Sequence, residues 1–199
     1  MGTYFRTNYD QLMKPLEKRM FSRIRSKLLA KAQGHVLEVG SGTGINFPLY
    51  TNVEVTAIEP DQTMRDQSMK RVKEASVPIQ VEDGDAQRLK FADDTFDTVV
   101  GTLVLCSIPD PLQALQEMRR VLKSQGKFLL FEHIRSDNPV LGKTMDILTP
   151  AWKRMFDGCH LNRNTVEIIR NAGIEIESIH RMFNRIFVVI EGSNPKQSY

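Results

Sequence analysis

The stretch V-L-E-V-G-S-G-T-G, Val36 to Gly44, decides the fold of this 199-residue chain. Val36 to Val39 has the composition of a buried parallel strand, interrupted by the carboxylate of Glu38. Three alternating glycines follow: Gly40, Gly42 and Gly44. Glycines can adopt the positive φ of a tight turn and let a ligand approach the backbone. We therefore expect a cofactor cradle, with the N-terminus of the next helix beside it.

The spacing of these glycines separates two cofactor classes. A dinucleotide fingerprint reads G-x-G-x-x-G and holds a pyrophosphate. Here the third glycine comes one residue early, and Glu38 would repel a phosphate and attract an ammonium. The pattern E-x-G-x-G-x-G resembles motif I of the class I S-adenosylmethionine (SAM) methyltransferases. The resemblance implies SAM as the cofactor, held by five residues of the motif: Glu38, Gly40, Ser41, Gly42 and Gly44.

Two later acidic segments extend this resemblance. Val53 to Ile58 alternates as a second strand and ends at Glu59, whose carboxylate would lie beside the glycine turn and accept both ribose hydroxyls. The family's G-D-A sequence recurs around Asp85, which implies an acceptor for the adenine amino group, although alone Asp85 better suits an Asx-turn. The cofactor contacts implied outside motif I are Glu59, Pro60, Asp85, Ala86 and Leu105.

Apolar runs and turn residues predict the other elements. A helix is expected to begin at Ile45–Tyr50, and others to cover Asp61–Glu74, Pro111–Lys123 and Asn162–Asn171. Strands are expected at Pro78–Val81, Phe96–Leu105 and Lys127–Phe131. A hairpin is expected to join Ile174–Ile179 with Arg185–Ile190. Gly126 is expected to provide a left-handed cap after the third helix. The family resemblance implies an α/β fold, a doubly wound, seven-stranded, mostly parallel Rossmann-like sheet with an antiparallel edge hairpin and an N-terminal helical cap.

The length and composition of the chain limit its domain organisation, its partners and its location. We expect an N-terminal cap over 1–33, a methyltransferase domain over 34–192 with a lid insertion at 134–161, and a frayed tail at 193–199. A net charge of +3 is too small to indicate a nucleic-acid partner. Cys106 and Cys159 lack metal-ligand spacing, so we expect no metal and a packing role for Cys106. Without a signal peptide or long apolar run, a cytoplasmic monomer or dimer is expected.

Residues 9 to 31 carry an amphipathic helical pattern with little acid to balance its basic side. Its apolar stripe comprises Tyr9, Leu12, Met13, Leu16, Met20, Ile24 and Leu28. Its basic residues are Lys14, Lys18, Arg19, Arg23, Arg25, Lys27 and Lys31. We expect a helix that packs on the domain with a solvated basic face; the alternative is peripheral contact with an anionic membrane or an acidic substrate.

The open end of the sheet holds the candidates for proton transfer. His133 and His160 are the predicted catalytic residues, and Glu132 and Asp157 are weaker candidates. The stretches T-L-V-L-C-S-I, F-E-H and D-G-C-H-L-N-R resemble a methyltransferase-like group that methylates alkyl thiols, near the ubiquinone, menaquinone and phospholipid methyltransferases. The Asn-Pro-Pro-aromatic sequence of base-amino methyltransferases is absent from the corresponding position.

The predicted function is in-line transfer of the SAM methyl group to a small apolar acceptor: a thiol, a quinol precursor or a lipid amine. Two alternatives keep the fold and change the role, namely a non-catalytic SAM-binding regulatory module and a methyltransferase that acts on a macromolecule. A third, a nicotinamide-dependent oxidoreductase, conflicts with the glycine spacing. Fold alone does not choose among them.

Overall fold

The structure is a computed structural model that describes residues 2–156 and 158–195. The described residues form one sheet flanked by helices. Its strands are β1 (His35–Val39), β2 (Glu54–Ile58), β3 (Ile79–Glu82), β4 (Phe96–Thr102), β5 (Leu122–His133), β6 (Glu175–Met182) and β7 (Phe187–Ser193). The helices are α1 (Gly2–Leu16), α2 (Ser22–Leu29), α3 (Gln62–Glu74), α4 (Pro111–Val121), α5 (Pro139–Met155) and α6 (Thr165–Asn171). A π-helical turn, Glu17–Phe21, joins α1 to α2.

The sheet confirms the predicted α/β architecture. Its strand order is β3-β2-β1-β4-β5-β7-β6. The first five strands in this order pair in parallel, whereas β7 pairs antiparallel with both β5 and β6. The order reverses between β1 and β4, and ligands of doubly wound sheets bind at the carboxyl ends of the strands beside such a switch point.

Two apolar cores cover the two faces of the sheet. On one face α4 and α6 pack over the sheet through side chains such as Leu115 and Ile169. On the other, Phe21, Leu28 and Leu29 from the N-terminal segment pack against strand residues including Val100. α2 is therefore part of the packing of the sheet itself, and the boundary drawn at residue 33 stays a prediction.

Two local predictions about turns and helix ends are wrong. Instead of an α-helix at Ile45–Tyr50 there is a short 3₁₀ turn, Phe47–Leu49, because Pro48 has no N–H to continue a helix and the chain is extended again at Tyr50. Gly126 does not provide the left-handed cap, since Gln125 has the positive φ of 61°. A Cβ on Gly126 would lie 2.5 Å from Leu122 Cδ1, so glycine is needed here because there is no room for a side chain.

The predicted tail begins too early. Ser193 is the last residue of β7. Asn194 is 5% exposed. Its amide donates to the carbonyls of Leu122 and Arg119 and ties the chain end to the corner between α4 and β5. Residues 196–199 of the predicted tail lie outside the described residues.

The N-terminal amphipathic pattern holds with one exception on its basic side. Most of its basic residues are exposed, but Arg25 is only 1% exposed and is ion-paired with Glu17. Exposed apolar side chains occur on α1 at Leu12 and Leu16 and on α5, where Ile147 is 70% exposed. Within the described residues, no helix is both long enough and apolar enough to span a membrane. Contact with a membrane surface stays a prediction.

Candidate functional site

The glycine turn lies at the carboxyl end of β1, at the predicted position. Its three alternating glycines all have positive φ, 65°, 55° and 74° in chain order. The amides of Gly40 and Ser41 donate to the carbonyl of Ile58, and that of Gly42 donates to Glu59 Oε2 at 3.0 Å. These amides are committed to protein acceptors, and no α-helix N-terminus follows the turn. This arrangement does not favour a phosphate.

The turn nevertheless fits a cofactor that approaches the backbone closely. A Cβ built on Gly42 would meet no atom within 4 Å, so this part of the turn borders open space. Ser41 is buried, and its hydroxyl has no hydrogen-bond partner among the described residues. A buried hydroxyl without a partner is costly unless a ligand or water completes it. SAM, which offers an amino-acid group and no phosphate, suits these residues.

Glu59 ends β2 beside the glycine turn. Its Oε2 accepts from the Gly42 amide and its Oε1 from the Asp61 amide, each at 3.0 Å. Burial raises the pKa of Glu59, and the two amides oppose that rise. Each carboxylate oxygen has a second lone pair, so the predicted bonds to ribose hydroxyls are compatible with the contacts present. Pro60, which follows it, is exposed.

Glu38 lies in a buried polar network instead of facing the turn. It is 1% exposed. Its Oε1 accepts from Asn46 Nδ2 at 3.0 Å and its Oε2 from the Tyr50 hydroxyl at 2.7 Å. Burial raises the pKa of Glu38 to about 7. The contact with the cofactor ammonium stays a prediction, and the observed contacts join Glu38 to the segment that follows the turn.

Arg25 connects this network to the N-terminal segment. Its Nη1 donates to Asn46 Oδ1 at 3.0 Å and to Thr102 Oγ1 at 2.6 Å. Its Nε and Nη2 donate to the Glu17 carboxylate. One buried guanidinium thus joins α2, the segment after the glycine turn and the end of β4. Sequence reasoning missed it because Arg25 looks like one more basic residue on an exposed helical face.

Asp85 and Ala86 follow β3 near the same edge. Asp85 is exposed, and its Oδ1 accepts from the Gln87 amide at 2.9 Å, the geometry of the Asx-turn that was the alternative to adenine binding. Ala86 is buried in the core beneath the turn. The role of this pair toward adenine stays a prediction.

α1 lies against the glycine turn, a contact that no motif indicated. Asp10 Oδ1 accepts from the Thr43 hydroxyl at 2.7 Å, and its Oδ2 accepts from Arg71 Nη2 at 2.7 Å. Arg71 also donates to the Thr43 carbonyl. One residue earlier, desolvation raises the pKa of Tyr9 to about 12 despite the opposing charge of Arg25. We call the contacts of Asp10, Thr43 and Arg71 the α1 latch.

Glu132 supports the loop after β4. It is fully buried at the end of β5, and its Oε1 accepts from the amides of Val104 and Leu105 at 2.9 and 3.0 Å. Burial raises the pKa of Glu132 to about 7. Val104 in turn lies against Gly40, where an added Cβ would be 2.1 Å from Val104 Cγ2. Leu105, a predicted cofactor contact, is fully buried under this loop.

Cys106, His133 and Cys159 meet at the ends of β4 and β5. His133 Nε2 lies 3.0 Å from Cys159 Sγ, and the ligand atoms of all three residues lie within 4.8 Å of one another. Hydrogen bonds from Cys106 and His133 lower the pKa of Cys159 to about 4, while the hydrogen bond to Cys159 and burial raise the pKa of Cys106. We expected no metal because the two cysteines are far apart in sequence. The fold brings them together, so that reason no longer holds.

His160, the second predicted catalytic residue, lies next to this cluster. Its Nδ1 is 3.1 Å from Arg163 Nη2 and 3.2 Å from the Cys106 carbonyl; it can accept from the first or donate to the second. Burial and the charge of Arg163 lower the pKa of His160. The structure therefore brings His133 and His160 to the same end of the sheet. Asp157 lies outside the described residues.

Comparisons with known proteins agree with this geometry. A family model described as a methyltransferase domain matches residues 37–130. Thiol S-methyltransferase TMT1B of Rattus norvegicus is 33% identical over 181 residues, 86% of this chain and 72% of that protein. A phosphatidylethanolamine N-methyltransferase of Cereibacter sphaeroides is 37% identical over 107 residues, 52% of this chain and 53% of that protein. A solved SAM-dependent methyltransferase from Thermotoga maritima has the same fold, with a TM-score of 0.71, 22% identity and coverage of 97% of this chain and 99% of that one.

Proposed function

Because this chain belongs to the class I SAM-dependent methyltransferases, in the group that includes the thiol S-methyltransferases, we propose that it methylates the sulfur of a small, apolar alkyl thiol. The chain is a methyltransferase, and SAM is its cofactor. The proposal concerns the acceptor, for which a quinol precursor and a lipid amine are the competing classes.

The extent of the match with the thiol S-methyltransferases carries the choice of acceptor. It runs over 181 residues, 86% of this chain. The phospholipid relative matches over 107 residues, too few to include both α1 and α5. Acceptor specificity in this fold depends on segments added around the shared sheet, and here these are the N-terminal helices and the segment between β5 and α6. The longer match includes more of the segments that would bind the acceptor.

Named residues would hold the cofactor on the glycine side. Glu59 would accept the ribose hydroxyls, and the open backbone at Gly42 would lie against the bound molecule, with the Ser41 hydroxyl beside it. SAM supplies a methyl group on a positively charged sulfur, so the protein needs no covalent catalyst. The α1 latch would cover this side and exclude water.

The other end of the site suits a thiol. A thiol with a pKa of about 8.5 is already partly ionised near neutrality, so positioning matters more than a strong base. His160 is the better placed proton acceptor, because its lowered pKa keeps the imidazole neutral, whereas His133 Nε2 already contacts Cys159.

The test is product identification with methyl-labelled SAM. Purified protein is incubated with matched acceptors, one each from the alkyl thiols, phenols, quinol precursors and aminolipids, and the labelled products are identified by mass. We expect a methyl thioether as the main product, with little labelling of the others. Preferential labelling of an aminolipid or a quinol precursor would contradict the thiol proposal. Binding of SAM without turnover on any acceptor would favour the regulatory module.

A further inference from the structure

The cluster of Cys106, His133 and Cys159 has a geometry beyond what packing requires. The residues come from three separate segments: the loop after β4, the end of β5 and the loop after α5. Two sulfur atoms and one imidazole nitrogen lie within 4.8 Å of one another. The His160 amide donates to the Cys106 carbonyl at 2.9 Å, which fixes the two cysteine-bearing loops together.

This ligand set selects a class of metal. Two thiolates and an imidazole suit zinc, whereas hard cations such as Mg²⁺ and Ca²⁺ prefer oxygen ligands. Zinc sites with three protein ligands keep a fourth position for water or substrate, and one Cys₂His site of this kind is known among zinc enzymes.

A second observation points to a cation at this cluster. Glu132 precedes His133, and its Oε2 has no hydrogen-bond partner in the part of the chain that the structure describes, although the residue is fully buried. His133 Nδ1 is also buried without a partner there. A buried carboxylate oxygen without a hydrogen-bond partner is costly, and a divalent cation at the neighbouring cluster would reduce that cost.

We propose that Cys106, His133 and Cys159 bind one zinc ion, whose remaining coordination position takes the acceptor thiol. The second half of this inference rests on the proposed function. The thiol binds as a thiolate, and its proton passes to His160 and from there to solvent. Its sulfur then forms a bond to the methyl carbon as the bond from that carbon to the sulfonium breaks. The products are a methyl thioether and S-adenosylhomocysteine, and zinc is neither oxidised nor reduced.

The first test uses Co²⁺ as a spectroscopic probe on the full chain. Protein depleted of metal by dialysis against a chelator is titrated with Co²⁺ alone. We expect thiolate-to-cobalt charge-transfer absorption and the visible bands of a tetrahedral site. Both should saturate at one equivalent of Co²⁺ and disappear when added Zn²⁺ displaces the cobalt. The chain has only two cysteines, so a thiolate signal reports on this cluster. Absence of these bands in the folded protein would overturn the proposal.

Variants locate the ligands. Cys159→Ser and Cys106→Ser should each weaken zinc binding by more than the 10–100-fold that loss of a second-shell partner costs. His180→Ala is the matched control, since His180 is exposed on β6 away from the cluster, and it should bind zinc as the unchanged protein does. Circular dichroism checks folding for each variant. Undiminished binding in a folded Cys159→Ser or Cys106→Ser protein would remove that cysteine from the site and overturn the proposal.

A third measurement separates the metal site from the acceptor. Thiol methylation is compared in metal-depleted and zinc-restored protein, and we expect it to be lost and recovered. A full rate without metal would overturn the activating role while leaving the thiol acceptor intact. Cobalt binding without methylation of any thiol would instead overturn the proposed function and the second half of this inference, and leave the metal site standing.

Discussion

The carboxyl edge of the sheet has two halves, which we propose bind the cofactor and the acceptor, and their contacts span different distances in sequence. In the cofactor half, formed by the glycine turn and Glu59, the Gly42 amide contacts a carboxylate 17 residues away. In the acceptor half, formed by Cys106, His133, Cys159 and His160, contacts join residues 26 to 54 apart. The first half is largely encoded in local motifs. The second exists only after the loops around β4, β5 and α5 have folded together.

The largest expected effect comes from removing Arg25, which links the network around the glycine turn to the N-terminal segment. Arg25→Ala leaves the Glu17 carboxylate buried without its partner and removes the hydrogen bonds that Arg25 donates to Asn46 and Thr102. Breaking a buried ion pair in this way costs about 3–5 kcal/mol, which we expect as a loss in the free energy of unfolding by urea titration. Arg23→Ala, on the exposed side of α2, should change it by less than about 0.5 kcal/mol. Equal effects of the two substitutions would contradict the linking role.

Glu38 gives a pH test of the cofactor half. Its folded-state pKa of about 7 lies above the ordinary value of 4.5, so the native state binds the proton more tightly than the unfolded state. The associated stability is complete below about pH 4.5 and is lost as pH rises to 7, by roughly 3 kcal/mol. Glu38→Gln, which mimics the neutral form, should flatten this decline in urea titrations. If Glu38 mainly holds the turn, this variant should also keep its affinity for SAM, whereas a large loss would favour the ammonium contact.

Gly42→Val should separate binding from folding. The added side chain would point into the open space beside the turn. The positive φ of the backbone at residue 42 disfavours valine and would cost about 1–2 kcal/mol of stability. We expect SAM affinity to fall more than about 100-fold, or 2.7 kcal/mol, by calorimetry while the protein stays folded. Normal SAM binding in this variant would show that the cofactor lies elsewhere.

Glu59→Ala should have a smaller effect on the same half. Hydrogen bonds to a charged acceptor are worth about 1.5–3 kcal/mol, so SAM affinity should fall by that amount in calorimetric titration. Glu54→Ala is a suitable control, because Glu54 is exposed at the opposite end of β2. An unchanged affinity in Glu59→Ala would exclude this carboxylate from the ribose site.

This contrast explains which predictions from sequence succeeded. The mostly parallel sheet with its antiparallel edge hairpin follows from the family resemblance. The positions of the glycine turn and Glu59 follow from motifs whose parts are close in sequence. Sequence could not predict the meeting of Cys106 with Cys159, since nothing in a two-cysteine sequence fixes which loops converge. The positive φ at Gln125 was missed because glycine usually takes such positions, and Gly126 was needed for space instead.

The α1 latch has a consequence for the rate of turnover. Asp10 binds the glycine turn through Thr43 and binds α3 through Arg71. With SAM bound at the glycine turn as proposed, a helix held beside that turn would make exchange of spent for fresh methyl donor a conformational event, and we expect α1 to lift before the old molecule leaves. The frequency of that opening then sets an upper limit on how often the enzyme can cycle, whichever acceptor is present.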